Sequence, residues 1–321
     1  MKISKKITSV LAFASLILSG CGEADGVKKY SLDLDYKEDF RILWLTDIHY
    51  GQGIIDKQNE LAHLKTMIED ANNPDLMILT GDTFWEESAS DVDDLIFFID
   101  SFNIKWAFTY GNHDLEPFDG LDTYYINRKI SETKNKVFID YENDDIDGLT
   151  NYYINLKEGE KTIYRLYIID SNSYNADGDY DIIHRNQLEH LININKKEAD
   201  NAPGLAFFHI PLWEFADAYK GYKEGIYTGR EVNEEDCCVG YKNNGAYSVM
   251  NSINIKGCFA GHDHVNDSDI NYKDEMILSY GLKGSDLCYY DNVLIGYKMI
   301  TLPKDSSKFS LDCISNHYFP Y

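Results

Sequence analysis

Short apolar runs alternate along the first third of the chain with longer stretches in which apolar side chains recur every three or four positions. The runs are Ile42–Thr46, Leu76–Thr80 and Trp106–Tyr110, and the helical patterns lie near Lys57–Ala71 and Val92–Phe102. A short apolar run is typical of a buried strand, whereas a period of about 3.6 residues is typical of an amphipathic helix. Strands that alternate with helices predict βαβ units and a largely parallel sheet.

The rest of the chain contains more predicted strands than one sheet accommodates. Its predicted elements are strands at Tyr152–Leu156 and Tyr164–Ile169, a helix at His184–Lys197, and strands at Gly204–Phe208, Lys256–Ala260, Glu275–Tyr280, Val293–Leu302 and Phe309–Ile314. We therefore predict an α/β fold with two sheets of mixed direction. The charged and aromatic segment Glu214–Tyr247 has little regular periodicity, and an ordered surface excursion and a flexible insertion fit it equally well.

The amino-terminal residues are typical of an exported lipoprotein. Three lysines precede an apolar run that is too short to span a membrane and that ends in Leu18-Ser19-Gly20-Cys21. We predict a lipoprotein signal peptide over 1–20, a polar tether over 21–39 and one domain over 40–321. Acylation of Cys21 would anchor the protein to a membrane, on the cell surface or facing the periplasm. The alternative is a plain secretory signal in which Cys21 is incidental.

The acidity of the chain restricts its partners. It has 30 Lys and Arg against 54 Asp and Glu, a formal charge of −24, so we do not expect it to bind nucleic acid. An anionic substrate needs a local positive centre, and bound metal ions are the obvious source of one. The five cysteines after Cys21 lack any CxxC spacing, so we expect structural or free cysteines rather than a zinc cluster.

Candidate metal-binding residues follow five of the predicted strands. In chain order the clusters are Asp47-Ile48-His49, Gly81-Asp82, Gly111-Asn112-His113-Asp114, His209 and Gly261-His262-Asp263-His264. Ligands of open α/β sheets bind at the carboxyl ends of strands, so we expect the five clusters to converge. Carboxylates mixed with imidazoles favour Mn, Fe or Zn over Ca and Mg, whose sites favour oxygen alone. An isolated Asp or His at a strand end is more often a turn residue, but five such clusters in order after successive strands favour a metal site.

The ordered set DxH, GD, GNHD, H and GHxH resembles the calcineurin-like metallophosphoesterase superfamily over residues from about 40 to 300. The resemblance implies a four-layer αββα sandwich, in which two mixed β-sheets pack face to face with helices outside. It also implies a dinuclear centre of divalent or trivalent metal ions. One ion would be bound by Asp47, His49 and His264, and the other by Asn112, His209 and His262, with Asp82 bridging the two.

A narrower resemblance is to purple-acid-phosphatase-like proteins, namely those of the yeast dosage-dependent cell-cycle regulator type and their plant relatives of the inactive type. It rests on Asn233-Glu234-Glu235, Asn243-Asn244-Gly245, the sequence GHDHVND from Gly261, and Asp286-Leu287-Cys288-Tyr289. One position departs from the pattern. Purple acid phosphatases carry a tyrosine in the GDxxY block, and this chain has Trp85 there, so a purple Fe(III) site is not expected.

The ligand set implies hydrolysis of phosphoric esters. Two metal ions would hold a phosphoryl oxygen and generate a bridging hydroxide as the nucleophile. His113 would protonate the leaving alkoxide, as its family counterpart does, and Asp114, with Asp263 as the alternative, would orient it. We therefore predict a phosphatase that acts on phosphomonoesters of small molecules or proteins. The alternatives are a phosphodiesterase acting on nucleotides or phospholipid head groups, and a metal-binding member that has lost catalysis.

One cation is a candidate for contact with the substrate phosphate. Arg230 lies in a stretch where other cations are scarce. Pairing of its guanidinium with Glu231 or Glu234 is the alternative.

Overall fold

The computed structural model describes residues 30–51, 57–116, 120–122, 124–139, 145–305 and 314–317. The predicted signal peptide, Cys21 and Cys313 lie outside these ranges. Within them, no helix is long and apolar enough to cross a membrane. The cysteines in these ranges, Cys237, Cys238, Cys258 and Cys288, are free thiols.

The described residues form fifteen strands and six helices. In chain order the strands are β1 (Ser31–Asp35), β2 (Phe40–Leu45), β3 (Tyr50–Gly51), β4 (Leu76–Thr80), β5 (Phe84–Trp85), β6 (Trp106–Thr109), β7 (Asn151–Glu158), β8 (Lys161–Ile169), β9 (Gly204–Phe208), β10 (Thr228–Asn233), β11 (Ile255–Ala260), β12 (Asn266–Tyr272), β13 (Met276–Tyr280), β14 (Gly296–Leu302) and β15 (Ile314–His317). The helices are α1 (Lys57–Asp70), α2 (Ala89–Asp100), α3 (Tyr125–Glu132), α4 (Arg185–Glu198), α5 (Glu214–Lys223) and α6 (Ala246–Ser252). A short 3-10 turn covers His113–Leu115.

The strands form two mixed sheets and one two-stranded ribbon. The smaller sheet has the order β15-β14-β2-β4-β6, in which β2, β4 and β6 run parallel and β14 is antiparallel to β2. The larger sheet has the order β1-β7-β8-β9-β11-β13-β12-β10, in which β8, β9, β11 and β13 run parallel. Helices α1 and α2 make the long connections that parallel neighbours in the smaller sheet require.

The two sheets pack face to face through an aromatic core. Trp44 of β2 contacts Phe207 of β9 and Phe259 of β11 edge-on, with ring centroids 6.4 and 5.3 Å apart. One cluster of buried side chains joins both sheets to α1 and α2, and a second lies between the larger sheet and α4, α5 and α6. The order of layers is therefore helix, sheet, sheet, helix, and the predicted αββα sandwich is confirmed.

Helix α2 shows how the local sequence sets the start of an element. The Ser88 hydroxyl accepts a hydrogen bond from the Asp91 amide at 3.4 Å, and the Asp91 carboxylate accepts one from the Ser88 amide at 3.0 Å. This capping box satisfies two amide groups that the first turn leaves without helical partners. Val92, Leu95 and Ile99 then recur at helical spacing and bury one face of the helix in the core.

The first strand corrects the predicted extent of the tether. Residues 31–35, which the sequence places in the tether, form β1 and pair in parallel with β7. Leu32 and Leu34 are partly buried against the core. Main-chain hydrogen bonds to an edge strand need no continuous apolar run, which is why the pattern of the sequence does not show this strand. The folded unit therefore extends at least to residue 31.

The segment Glu214–Tyr247 is ordered rather than a flexible insertion. It contains α5, whose buried face consists of Phe215, Ala218 and Gly221, and β10, which pairs with β12 at the edge of the larger sheet. Ala and Gly contribute little to an apolar pattern, and no residue of β10 is buried, so neither element has a clear periodic signal.

Candidate metal centre

The five predicted clusters lie at the carboxyl ends of five strands. Asp47, Asp82 and Asn112 follow β2, β4 and β6 of the smaller sheet, whereas His209 and His262 follow β9 and β11 of the larger sheet. All five side chains are buried. Since parallel strands present their carboxyl ends at one edge, the two sheets bring these residues to a common, enclosed place, as the sequence predicts.

Six of the predicted ligands form two overlapping groups. Asp47, His49, Asp82 and His264 make up the first group, and Asp82, His209 and His262 make up the second, with one donor atom per residue within 4.8 Å of the others in its group. Asp82 belongs to both groups. Its Oδ2 lies 3.7 Å from Nε2 of His49 and 3.1 Å from Nε2 of His209. A carboxylate in this position fits the bridge of a dinuclear centre.

Asn112 offers a seventh donor atom. Its side-chain nitrogen donates a hydrogen bond to the Tyr174 hydroxyl at 2.9 Å. Its Oδ1 is buried and has no hydrogen-bond partner among the described residues. A buried oxygen without a partner costs about 1–3 kcal/mol, and a cation would remove that penalty. The amide of Asn112 is therefore oriented as a ligand would be, with its nitrogen paired and its oxygen available.

Backbone carbonyl groups fix the rings of two histidines. Nδ1 of His209 lies 2.9 Å from the carbonyl oxygen of Thr80, and Nδ1 of His264 lies 2.9 Å from that of Tyr289. A carbonyl oxygen only accepts hydrogen bonds, so each Nδ1 carries a proton and each Nε2 is the atom directed to the ligand groups. Metal-binding histidines are usually oriented by contacts of this kind. The residues present therefore fit a metal centre in their outer contacts as well.

The charges of the second ligand group, which consists of Asp82, His209 and His262, favour replacement of the His209 proton by a metal ion. Burial lowers the pKa of His209, but the neighbouring Asp82 and Asp47 outweigh it and raise this pKa to about 10. Burial together with His209 lowers the pKa of His262 to about 3, so that ring is neutral. Burial raises the pKa of Asp82, yet His209 holds it well below its usual range. A cation that displaced the His209 proton would pair with the same carboxylates.

Four of the seven residues adopt a left-handed backbone conformation. The φ angles are 55° at Asp47, 54° at His49, 44° at Asp82 and 81° at His262. Asp and His enter this region more readily than most residues, but each still costs about 1 kcal/mol or more. Gly111 is required for a different reason, because a Cβ atom there would clash with the carboxylate and the amide nitrogen of Asp82. Tight turns of this kind are frequent at functional sites.

His113 lies beside the two ligand groups. Its side chain is 30% exposed, and its ring centroid is 5.4 Å from that of His49. Its backbone amide donates a hydrogen bond to Oδ1 of Asp82 at 2.9 Å. The residue is therefore tied to the predicted bridging carboxylate, while its ring reaches the surface of the cleft.

The partner of the His113 ring differs from the prediction. Nδ1 of His113 lies 2.7 Å from the carboxylate of Glu116, not from Asp114. The carboxylate of Asp114 is buried and accepts hydrogen bonds from the amides of Phe84 and Gly111, both at 2.7 Å. Because those backbone donors occupy both of its oxygens, Asp114 supports the turns that carry the ligands, and Glu116 is the residue that orients the ring.

Residues 40–266 of the chain match the family described as calcineurin-like phosphoesterase. The chain belongs to this family. The match includes the five clusters at the strand ends, and the predicted resemblance is thereby confirmed. The two buried groups of Asp and His side chains are able to hold the dinuclear metal centre that the family uses.

Curated relatives of this calcineurin-like phosphoesterase include purple-acid-phosphatase-like proteins of Arabidopsis thaliana. Probable inactive purple acid phosphatase 29 is 28% identical over 296 residues, which cover 78% of this chain and 71% of the relative. Probable inactive purple acid phosphatase 14 is 29% identical over 293 residues, which cover 78% and 69%. These relatives agree with the narrower resemblance, and their names describe them as probably inactive.

Solved structures with the same fold include two phosphatases. A dimetal phosphatase from Danio rerio superposes with a TM-score of 0.57 at 12% identity, over 84% of this chain and 94% of that chain. The purple acid phosphatase PPD1 from yellow lupin seeds superposes with a TM-score of 0.50 at 13% identity, over 87% and 54%. At these identities the likeness concerns the fold alone.

Two other predicted residues have defined positions in this calcineurin-like phosphoesterase. The Trp85 ring lies 6.1 Å from His49 and 6.4 Å from His113 between centroids, so an indole borders the centre where purple acid phosphatases have a phenolate. Arg230 donates two hydrogen bonds to the Asp267 carboxylate, at 2.7 and 3.1 Å. The guanidinium also forms an ion pair with Asp269, so two carboxylates of β12 bind Arg230, whereas Glu231 pairs with Lys223.

Lys283 and Ser285 are residues that the sequence does not single out. Lys283 is 1% exposed and its Nζ donates a hydrogen bond to the carbonyl oxygen of Asp47 at 2.9 Å. The Ser285 hydroxyl donates one to the carbonyl oxygen of Ile48 at 2.6 Å. Both contacts hold the left-handed turn that presents Asp47 and His49. Burial lowers the pKa of Lys283 to about 8, so little free energy is needed to neutralise it.

We expect Lys283→Met to weaken metal binding by about tenfold, because contacts behind metal ligands typically contribute this much. Methionine fills a similar volume but cannot hold the Asp47 carbonyl. Calorimetric titration of metal-free protein with Mn²⁺ measures the effect. Lys298→Met is the matched control, since Lys298 is also fully buried but lies in an ion-pair network with Asp267 and Asp269. Unchanged affinity in Lys283→Met would contradict a positioning role.

Glu87 is a buried carboxylate next to the centre. It is 1% exposed, and with Asp114, Leu115 and Tyr125 it lines a cavity of about 140 Å³. Its Oε2 has no hydrogen-bond partner among the described residues. Burial raises the pKa of Glu87 to about 7. Ionisation of Glu87 therefore lowers the stability of the folded protein.

We expect Glu87→Gln to stabilise the metal-free protein at slightly alkaline pH. The pKa is raised from 4.5 to about 7 on folding, so the folded state binds more protons between these values and stability falls as the pH rises through them. Glutamine does not titrate, so its advantage over glutamate should grow by about 3 kcal/mol between about pH 4 and about pH 8. Urea unfolding of both proteins measures this difference, and a pH-independent difference would contradict the buried charge.

Proposed function

We propose that this calcineurin-like phosphoesterase hydrolyses phosphomonoesters at a centre of two metal ions. The observation that carries the proposal is the position of Asp82 between two buried groups of metal-ligand candidates. One ion would be held by Asp47, His49 and His264, the other by Asn112, His209 and His262, with Asp82 between them. The mixture of carboxylate, amide and imidazole donors favours Mn, Fe or Zn.

The balance of charge supports an anionic substrate at this centre. Asp47 and Asp82 neutralise only half of the charge of two divalent ions, so the loaded centre would be positive within a chain of formal charge −24. When bound, the ions would supply an activated water nucleophile and offset the negative charge on the phosphoryl group. The low pKa of Asp82 keeps this carboxylate ionised and ready to bind.

His113 is the proposed donor of the proton that the leaving oxygen takes up. Glu116 accepts the Nδ1 hydrogen at 2.7 Å, which leaves Nε2 for the substrate. The hydrogen bond from the His113 backbone amide to Oδ1 of Asp82 holds His113 close to the centre. Proton donation from an oriented imidazole typically contributes about 10²–10⁴-fold to rate.

Steady-state rates on two substrates test the proposal. The protein is loaded with Mn, Fe or Zn, and p-nitrophenyl phosphate is compared with bis(p-nitrophenyl) phosphate. Faster turnover of the monoester supports a phosphatase, and much faster turnover of the diester would replace it with a phosphodiesterase. Two ions per chain without hydrolysis of either ester would identify a metal-binding member that has lost catalysis, as the names of the Arabidopsis relatives suggest for those proteins.

We also propose that the enzyme is exported and tethered to a membrane through lipid on Cys21. The support is the apolar segment that ends in Leu18-Ser19-Gly20-Cys21. We expect Cys21→Ala to move the protein out of the membrane fraction, because several acyl chains are needed for stable anchoring. Cell fractionation and immunoblotting measure this. If the amount of Cys21→Ala protein in the membrane fraction equalled that of the wild type, the proposed lipid anchor would be wrong.

A further inference from the structure

A pocket with tyrosine walls adjoins the second ligand group. Its volume is about 500 Å³, and its lining consists of Tyr174, Gly178, Asp179, Tyr180, Val239 and Tyr241. Small-molecule sites usually have volumes of about 300–1,000 Å³, and a lone phosphate needs far less. The pocket is therefore large enough for an organic group.

Two of the pocket walls contact proposed metal ligands. The Tyr174 hydroxyl accepts the hydrogen bond from the Asn112 side chain at 2.9 Å. The ring of Tyr180 meets the ring of His262 edge-on, with centroids 4.2 Å apart. Since Asn112 and His262 are proposed to hold the same ion, a phosphate bound to that ion would lie close to these tyrosines.

The walls are largely aromatic, and among the described residues the lining itself contains no Lys or Arg, although Nζ of Lys242 lies 4.8 Å from the ring centroid of Tyr241. The rings of Tyr174 and Tyr180 are inclined by only 27°, with centroids 5.8 Å apart, and Tyr174 and Tyr241 are 40% and 39% exposed. Exposed aromatic faces bind planar rings by stacking. The one charged residue of the lining is Asp179, which disfavours a second phosphate group. The lining therefore favours a flat aromatic group.

The walls are held in place before any ligand binds. Residues 174 and 180 form a β-bridge, and the Tyr241 amide donates a hydrogen bond to the carbonyl oxygen of Tyr180 at 2.9 Å. The Asn175 side chain accepts hydrogen bonds from the amides of Asp177 and Asp179 at 2.9 and 3.0 Å, which fixes the intervening turn. Binding to such a pocket requires little ordering of the protein.

We propose that the pocket binds the leaving group of the substrate, and that the preferred substrate is a small phosphomonoester with a planar aromatic ring. The inference rests on the proposed phosphatase function and adds the substrate class to it. A nucleoside monophosphate and a simple aryl phosphate share this chemistry.

The test compares the KM of small phosphomonoesters with and without a planar ring. AMP is compared with ribose 5-phosphate, which lacks the base, and phenyl phosphate with ethyl phosphate. The wild-type protein should show a KM for each aromatic substrate roughly tenfold below that for its partner. Tyr241→Ala should remove this preference by raising KM for the aromatic substrates, whereas Tyr241→Phe, which keeps the ring, should retain it. If the KM for AMP alone depended on Tyr241, the group bound by the pocket would be a nucleobase. If the KM for phenyl phosphate depended on Tyr241 equally, that group would be a simple aryl ring.

The outcomes separate this inference from the proposed function. Hydrolysis without preference for the aromatic partners, or an equal rise of KM for all substrates in Tyr241→Ala, would overturn the pocket and leave the phosphatase intact. If no ester is hydrolysed, calorimetry with the metal-loaded protein still tests the pocket. AMP should then bind roughly tenfold more tightly than ribose 5-phosphate to the wild-type protein and to Tyr241→Phe. Tyr241→Ala should bind the two compounds equally. Equal affinities would refute the pocket independently of catalysis.

Discussion

Asp82→Asn is expected to lower the metal content below two ions per chain and to reduce kcat by about a thousandfold or more. Asp82 is the residue that both ligand groups share, with Oδ2 within 3.7 Å of one imidazole from each group. Asparagine has nearly the same size and can still accept the His113 amide hydrogen bond. The substitution therefore removes one negative charge from between two cations and leaves the turn in place.

Elemental analysis of the purified variant and rates on p-nitrophenyl phosphate measure the effect. Asp170→Asn is a suitable control, because Asp170 is also a buried carboxylate but accepts hydrogen bonds from the amides of Leu149 and Asn172. It should lower stability and retain two ions. If Asp82→Asn kept two ions and the wild-type rate, the bridging role would be wrong.

His113→Ala is expected to reduce kcat by about 10²–10⁴-fold on alkyl phosphates, whose leaving oxygen needs a proton. The loss should be much smaller on p-nitrophenyl phosphate, because p-nitrophenolate leaves without protonation. Alanine keeps the backbone amide that donates to Asp82, so the content of metal should not change. The ratio of the two rates, measured on metal-loaded protein, separates proton donation from metal binding.

Glu116→Gln refines the test of His113. Glu116 touches the Nδ1 atom of the ring and no reacting atom, so it is a positioning residue. Its replacement should affect alkyl phosphates more than p-nitrophenyl phosphate, in the same direction as His113→Ala but by only about tenfold. An equal loss on both substrates in His113→Ala, together with loss of metal, would mean that His113 acts as a ligand instead.

The buried strands could be predicted because they leave a strong pattern in the sequence. The predicted strands at Leu76–Thr80 and Gly204–Phe208 have the same bounds in the structure, since both are covered on two faces and are wholly buried. The edge strand β1 and helix α5 could not be found in this way. They are held by pairing with distant strands and by small buried residues, which do not change the local apolar pattern.

The candidate ligands could be predicted for a related reason. Polar residues that follow buried strands must lie at the sheet edge, so their convergence follows from the order of the strands alone. The partners that orient them could not, because side chains reach backbone groups that are distant in sequence. Lys283 reaches the carbonyl oxygen of Asp47 across 236 positions of sequence, and nothing near Lys283 indicates that it is buried. Asp114 is likewise bound by the distant amide of Phe84, so the His113 ring pairs with the nearby Glu116 instead.

The left-handed turns at Asp47, His49, Asp82 and His262 have an evolutionary consequence. Glycine at any of these positions would relieve backbone strain but remove a candidate metal ligand. Replacement of these side chains would therefore favour stability and disfavour ion binding at the same positions. We expect a relative of this chain that has lost its metal ions to carry glycine, or a side chain that binds no metal, at one or more of the four turns.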